Sequence, residues 1–520
     1  MIDKTFQKII VTLAFCWPLL NFGQTAITDF VSIKPQSQGS KFRLPSSHTF
    51  QAIILKGDSL TEGGVLGPNT DFTGYVPINN SSINGYLSVN SETTPGGVSI
   101  LDINFNNTTQ LWQTSASQQV DFSPVVTTAR NCSGTVTPWN TIVTCEETIT
   151  NADENFDGYD DVGWCVEIDP ATKQVIDKLW ALGKFKHENI TVHSNLRTVY
   201  EGADSNPGYL YKFVADVAED LSAGQLFVYK GLKSGSGQWI KLNNTSKPER
   251  NTTLSQSQIV DATVFSAIED VEVGPNGWVY FAVKNERQVY RFKDSDSLYG
   301  LIVPEMETYV GNQSYTINDG EINYTVDWGY GNDNLTLDNA GNLFVLQDGD
   351  DNYVWYVEFG HSQTNPKVSL FSQSPLGGEC TGMTLSPDEK FMFMSVQHPS
   401  TENNSSIQYD AAGNAIAFER DVVMVIARNE HLGTATNINS NELERVQVFP
   451  NPVVGTLSIS GIGKENHPEI STLLGAKIAV EMNFMSAELA INMEQLPKGL
   501  YLFSWVNKAG VKQTQKIIKQ

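Results

Sequence analysis

The residues best suited to chemistry lie in one stretch, 131–147, which closes with Cys145-Glu146-Glu147. Anionic neighbours raise the pKa of a thiol, so a thiolate in this place needs a cation beside it. A metal ion supplies one, because it holds thiolate and carboxylate together. The preceding residues Thr141-Ile-Val-Thr144 read as a short strand. Strand alternation would put Cys145 and Glu147 on one face and Glu146 on the other. The competing reading is a buried structural cysteine beside a solvated acidic turn, and the tripeptide by itself does not choose between them.

Carboxylates recur at other strand ends. Asn84-Gly-Tyr-Leu-Ser-Val-Asn-Ser alternates and stops on Glu92. Phe185-Lys-His-Glu carries His187 and Glu188, Tyr200-Glu-Gly-Ala-Asp204 precedes a strand, and Ile268-Glu269-Asp270 opens one. Gln347-Asp348-Gly-Asp-Asp closes one, Gly377-Gly-Glu379-Cys380 is a tight turn, and Val396-Gln-His-Pro399 ends another. Each taken singly reads as a solvated loop. Together they would repel one another unless cations sat among them. A further acidic run has Asp153, Asn155, Asp157 and Gly158 at the spacing of a calcium loop, but Trp164 stands where the closing Glu of an EF-hand belongs.

The elements that must position these groups are strands. Val273-Gly-Pro-Asn-Gly-Trp-Val-Tyr-Phe-Ala, Leu337-Asp-Asn-Ala-Gly-Asn-Leu-Phe-Val-Leu and Leu385-Ser-Pro-Asp-Glu-Lys-Phe-Met-Phe-Met share one pattern, a polar turn feeding an apolar strand. Val166-Glu-Ile-Asp-Pro-Ala-Thr-Lys-Gln-Val-Ile is a looser fourth copy. Recurrence every ~45 to 65 residues suits the blades of a propeller, with a two-sheet sandwich as the competing architecture. The spacing therefore predicts an all-β chain: a six-bladed β-propeller over 24–431, followed by a small β-sandwich-like domain. A propeller gathers one end of every blade around a central channel, which is how separate acids would converge.

Composition agrees. The 520 residues include 58 acidic and 34 basic ones, a formal net charge of −24 that excludes a phosphate-backbone partner such as nucleic acid. Residues 1–23 read as an export signal, with Lys4 and Lys8 before an apolar run too short to span a bilayer. Leu13-Ala-Phe-Cys16 imitates a lipoprotein box, but Phe15 is too bulky for one. No later stretch reads as a transmembrane anchor, and the expected state is a monomer. Four cysteines remain, Cys132, Cys145, Cys165 and Cys380, which permit two disulfides or a metal-ligating thiol. Residues 432–444 are small and polar, as in a linker. Beyond them Val446-Gln-Val-Phe-Pro-Asn-Pro452 and Val453-Val-Gly-Thr-Leu-Ser-Ile-Ser460 begin a separate β-unit over 445–520, whose last strand is basic.

Asn131-Cys-Ser-Gly134, Thr137-Pro-Trp139 and Thr144-Cys-Glu-Glu147 resemble the signature of the PhoX-type alkaline phosphatases. The resemblance continues through Ala181-Leu-Gly-Lys-Phe-Lys-His-Glu188, Gly208-Tyr-Leu-Tyr-Lys-Phe213, Glu379-Cys-Thr-Gly382 and Ser395-Val-Gln-His-Pro399. It implies a propeller that hydrolyses small phosphate esters with a cluster of Fe3+ and Ca2+ held by a thiolate and carboxylates. On that resemblance Cys145 would ligate iron. Glu147, Glu188, Glu269 and Glu379 would be carboxylate ligands, joined by Glu92, Glu146 and Asp348. Cys145, Glu147 and Glu269 would form the catalytic group. The chain departs from the family twice: Ser91 replaces a His before Glu92, and Ala267 replaces an Arg two residues before Glu269. An Arg there would clamp phosphate bidentately, a role for which Lys284 and Arg287 are the nearby substitutes. The C-terminal unit resembles a type IX secretion sorting domain through Val448-Phe-Pro-Asn-Pro452 and Lys498-Gly-Leu-Tyr501. That implies the type IX machinery as a partner and a secreted or cell-surface location. The departures keep two alternatives open, a non-enzymatic calcium-binding propeller serving as a surface or adhesion module, and a related metal-dependent esterase.

Overall fold

In the computed structural model of the chain, residues 26–433, 446–472, 475–485, 488–506 and 512–520 are described. The expected export signal and nearly all of the expected linker lie outside them. The chain divides into two compact units, 1–434 and 435–520.

Six four-stranded antiparallel blades make up the first unit. Their innermost strands are Thr70–Pro77, Asn131–Val136, His187–Val192, Ile268–Val273, Asn332–Leu337 and Glu379–Leu385. Each packs against the next and the sixth packs against the first, which closes the ring. The sixth blade is completed by the N-terminal strand His48–Leu55, which pairs with Val422–Arg428 and so ties the two ends of the ring together. Strand Gly235–Lys241 joins the outer strands of the third and fourth blades into one nine-stranded sheet. The repeated turn-plus-strand segments of the sequence fall at blade turns. Gly277 and Gly341 stand in them with φ of +77° and +85°, a region that costs glycine nothing.

The cores lie between blades, where the middle strands read as near-continuous apolar runs. Val143, Val199, Tyr211 and Phe213 fill one such layer, and Leu343, Val345, Trp355 and Leu370 another. Each fully buried aliphatic side chain of this kind stabilises the fold by about 1.5–3 kcal/mol.

In the second unit, two four-stranded sheets enclose Leu457, Ile459, Leu489, Ile491, Phe503 and Ile517. Strand Gln447–Phe449 runs into the Pro450-Asn-Pro turn, and Gly499–Val506 pairs with the basic strand Lys512–Lys519.

Candidate metal centre

The chemistry collects at one mouth of the channel through a regularity that repeats around the ring. The second residue of the inner strand is Asp71, Cys132, Glu188, Glu269 and Asp333 in the first five blades. In each of these the pairing register shifts just after the first residue, between Thr70 and Thr73, Asn131 and Gly134, His187 and Ile190, Ile268 and Val271, and Asn332 and Leu335. A bulge of this kind re-aims side chains. In the sixth blade the shift falls between Thr381 and Thr384. There Gly382, at φ +54°, lies so close to Asp71 and Phe72 that a Cβ would meet their backbone, and Glu379 supplies the carboxylate instead. A second ring comes from the residue that follows the second strand of each blade: Glu92, Glu147, Asp204, Lys284, Asp348 and His398.

The two rings interlock. The ligand atoms of Asp71, Glu92 and Cys132 lie within 4.8 Å of one another, as do those of Cys132, Glu147 and Glu188, of Glu188, Asp204 and Glu269, and of Asp333, Asp348 and Glu379. Shared members make the first three groups one continuous arc. Lys284 spans the gap to the fourth, its Nζ 3.7 Å from Glu269, 3.6 Å from Asp333 and 3.2 Å from Asp348. On the other side His398 Nε2 lies 2.8 Å from Glu379, and Gln397 donates to Glu92. Arg130 pairs with Glu92 and with Glu147.

Burial and mutual repulsion set the electrostatics of these acids. Burial pushes Glu379 up to about 8, with Asp348 and Asp333 adding repulsion. Burial and then the neighbouring Glu147 push Glu92 and Asp204 to about 7 each. Burial likewise puts Asp333 at about 6 and carries Asp71, Glu188 and Glu269 well above the carboxylate range. Burial works against the charge on Lys284, but Asp333, Glu269 and Asp348 hold its pKa above that of an ordinary lysine. The Cys132 thiol, 3.2 Å from Glu188 Oε1 and 3.4 Å from Asp71 Oδ2, is raised by burial and then by those two acids. Asp71 Oδ1, Glu188 Oε2 and Glu379 Oε2 are buried with no hydrogen-bond partner.

Of the residues singled out in the sequence, the structure brings Glu92, Glu147, Glu188, Glu269, Asp348 and Glu379 together here. Cys145 and Glu146 stand elsewhere. Cys145 points into the core between the second and third blades, its Sγ 3.6 Å from that of Cys165. Glu146 is fully buried, accepts from the backbone of Gly163 and Trp164, and pairs with Lys178 Nζ at 2.9 Å. The alternation drawn through Cys145 and Glu147 stops because the strand ends at Glu146, so Glu147 turns to the channel without Cys145. The thiol of the site is Cys132. Sequence reasoning also missed Asp71 and Asp333, and left Asp204 out of the ligand set. The signal that would have found all four is positional: the second residue of each inner strand and the first after each second strand.

Ala267 occupies the position in the fourth blade that Arg130 occupies in the second, two residues before the inner-ring ligand, and both have a left-handed φ, +64° and +50°. Arg287 lies over the Tyr330 ring, and of the two it is Lys284 that stands among the acids. In the Asp153 loop, Asp153 and Asp157 accept from the backbone of Asp157, Gly158 and Tyr159, and form no ligand group among the described residues. The four cysteines are buried free thiols.

A family model described as alkaline phosphatase PhoX matches residues 106–400. The chain belongs to the PhoX alkaline phosphatase family. It is therefore an enzyme, a metal-dependent phosphoric-ester hydrolase, which sets aside the non-enzymatic propeller. A second family model, a secretion-system C-terminal sorting domain, matches residues 447–520 and marks the chain for type IX secretion to the cell surface or beyond. No curated protein matches the sequence. Among solved structures, Pseudomonas fluorescens PhoX in complex with vanadate, a transition-state analogue, superposes with a TM-score of 0.61 at 20% identity, covering 78% of this chain and 99% of that one. The periplasmic gluconolactonase PpgL of Pseudomonas aeruginosa gives a TM-score of 0.37 at 12% identity, covering 72% of this chain and 96% of that one. Among the described residues no helix is long and apolar enough to cross a membrane.

Proposed function

We propose that this PhoX family member is a secreted, monomeric phosphomonoesterase of small phosphate esters, and that Cys132 and the nine channel carboxylates hold calcium and ferric ions. The observation that carries the reading is the set of buried, partnerless oxygens on Asp71, Glu188 and Glu379 beside a buried thiol. An unpaired buried polar atom costs about 1–3 kcal/mol, and more when charged. Cations remove that cost, so the donor set fits the ions that the family resemblance implies. It divides by chemistry. Cys132 with Asp71, Glu92, Glu147 and Glu188 mixes soft and hard donors, as iron accepts. Asp204, Glu269, Asp333, Asp348 and Glu379 offer oxygen alone, as calcium requires.

Bound there, the ions would supply charge neutralisation for the phosphoryl oxygens and activation of water for attack on phosphorus. The protein's own groups bind and orient the ester. Lys284 offers an ammonium where the fourth blade has Ala267 in place of Arg, a point charge and not a planar fork. Arg130, whose side chain is 42% exposed, offers that fork from the second blade once Glu92 and Glu147 turn to cations. The clustered acids repel anions, so only the phosphate end that reaches these two groups is held.

The test compares two thiols. Cys132→Ser removes bound iron and phosphomonoester hydrolysis, whereas Cys145→Ala leaves both in place. Iron and turnover that survive Cys132→Ser overturn the assignment.

A further inference from the structure

We propose that Cys165, His187 and Glu201 form a second, fully buried site for a divalent transition ion of the zinc class, which ties the second blade to the third. Cys165 opens the third strand of the second blade, His187 opens the inner strand of the third, and Glu201 lies on the strand beside it. All three are buried, and their ligand atoms lie within 4.8 Å of one another. His187 and Glu188 are consecutive, so Glu188 serves the channel while His187 faces the core between blades.

His187 Nε2 lies 3.0 Å from the carbonyl of Gly183. A carbonyl only accepts, so Nε2 carries the proton and Nδ1 of the neutral ring presents its lone pair. A metal-ligating histidine is typically oriented in this way. That lone pair meets Cys165 Sγ at 3.3 Å and Glu201 Oε2 at 3.2 Å. Oε2 of Glu201 faces no polar group but Nδ1, and Oε1 has no hydrogen-bond partner. With Zn–S near ~2.3 Å and Zn–N and Zn–O near ~2.1 Å, tetrahedral ligands stand about 3.6 Å apart for sulfur and nitrogen and about 3.4 Å for nitrogen and oxygen. The spacing is that of a ligand set before small relaxation.

Without an ion, a proton shared between Nδ1 and Glu201 Oε2, 3.2 Å apart, and the Cys145 thiol beside Cys165, 3.6 Å away, serve every group but one, and Oε1 of Glu201 stays buried with no partner. A Cys145–Cys165 disulfide would consume both thiol protons and leave Oε1 of Glu201 equally bare. A divalent ion satisfies every group. With one thiolate, one carboxylate and a neutral imidazole its charge sums to zero, so the core gains no net charge. Binding releases the Cys165 proton to solvent. Cys145, its Sγ 3.6 Å from that of Cys165, is the candidate fourth ligand.

The site shares no residue with the proposed phosphatase centre and stands or falls apart from it. The test is metal analysis and zinc-edge X-ray absorption on the full-length protein expressed with zinc, after a chelation that strips exposed sites. The expected result is one retained zinc per chain, with sulfur and nitrogen/oxygen scatterers. Cys165→Ser and Glu201→Gln should lower retained zinc by about tenfold or more, and Cys132→Ser should leave it unchanged. Absence of retained zinc in the wild-type protein overturns the proposal, as does a tryptic peptide pair joined by Cys145 and Cys165. Because the wild-type spectrum is itself decisive, a variant that fails to fold does not leave the question open.

Discussion

Replacing Glu379 by Gln should have opposite effects on stability with and without metal. Glu379 is buried, and in the metal-free protein its pKa rises from 4.5 to about 8, chiefly through burial. A carboxylate whose folded pKa exceeds its unfolded value binds its proton more tightly when folded. Its contribution is present below the unfolded value and is lost as pH rises towards the folded one. At about 1.4 kcal/mol per pH unit, that rise removes about 5 kcal/mol from the metal-free protein between the two values. Gln cannot ionise and keeps what the wild type loses. His398 complicates the reading only at lower pH. Its pKa is raised to about 9, first by its hydrogen bond to Glu379. The stability it adds is present below 6.5 and lost through about 9, so above both values the difference between the two proteins reports Glu379 and its repulsion by Asp348 and Asp333. The assay is the denaturant midpoint of the propeller, followed by tryptophan fluorescence, for both proteins with chelator and with calcium and iron. Without metal, Glu379→Gln should be the more stable protein at high pH. With metal it should be the less stable, having lost a ligand. A metal-free wild type that keeps its stability across the window, or a metal-free Glu379→Gln that is the weaker of the two above it, refutes the reasoning.

Two further changes separate binding from structure. Lys284→Met should lower kcat/KM for a phosphomonoester about 10²–10³-fold, the usual loss for one donor to a developing oxyanion, while iron and calcium content hold; unchanged kinetics would reduce Lys284 to a counter-ion. Lys178→Met leaves Glu146 charged and unpaired in the core, so unfolding free energy should fall by about 3–5 kcal/mol; metal bound per folded molecule should not change, and a loss of iron would put Glu146 in the centre after all.

The blades were legible because polar turns and apolar strands repeat along the chain, and because the order of motifs carried the family. Six of the channel acids were legible for a simpler reason, that carboxylates stand at strand ends, opening or closing them, where a propeller's strands converge. The thiol was not. Cys145 and Cys132 both lie in the family signature, and Cys145 has the acidic neighbours, Glu146 and Glu147. Local sequence favours it, but strand register sends it to the core beside Cys165, while the bulge after Asn131 marks where Cys132 joins Asp71 and Glu188. Asp71 and Asp333 went unseen because a single acid after Thr70 or Asn332 has no local mark. Only alignment of the blades on one another, where both take the second position of the inner strand, gives them away. The isolated acidic run at Asp153 has the opposite character, conspicuous in sequence but spent on its own backbone amides.

The most direct test of the whole account is hydrolysis of a chromogenic phosphomonoester at alkaline pH by the purified, folded protein, before chelation, after it, and after calcium and iron are restored. Turnover that disappears with the metals, returns with them and is absent from Cys132→Ser is the predicted result. Turnover that survives chelation, or a metal-loaded folded protein with none, would contradict it.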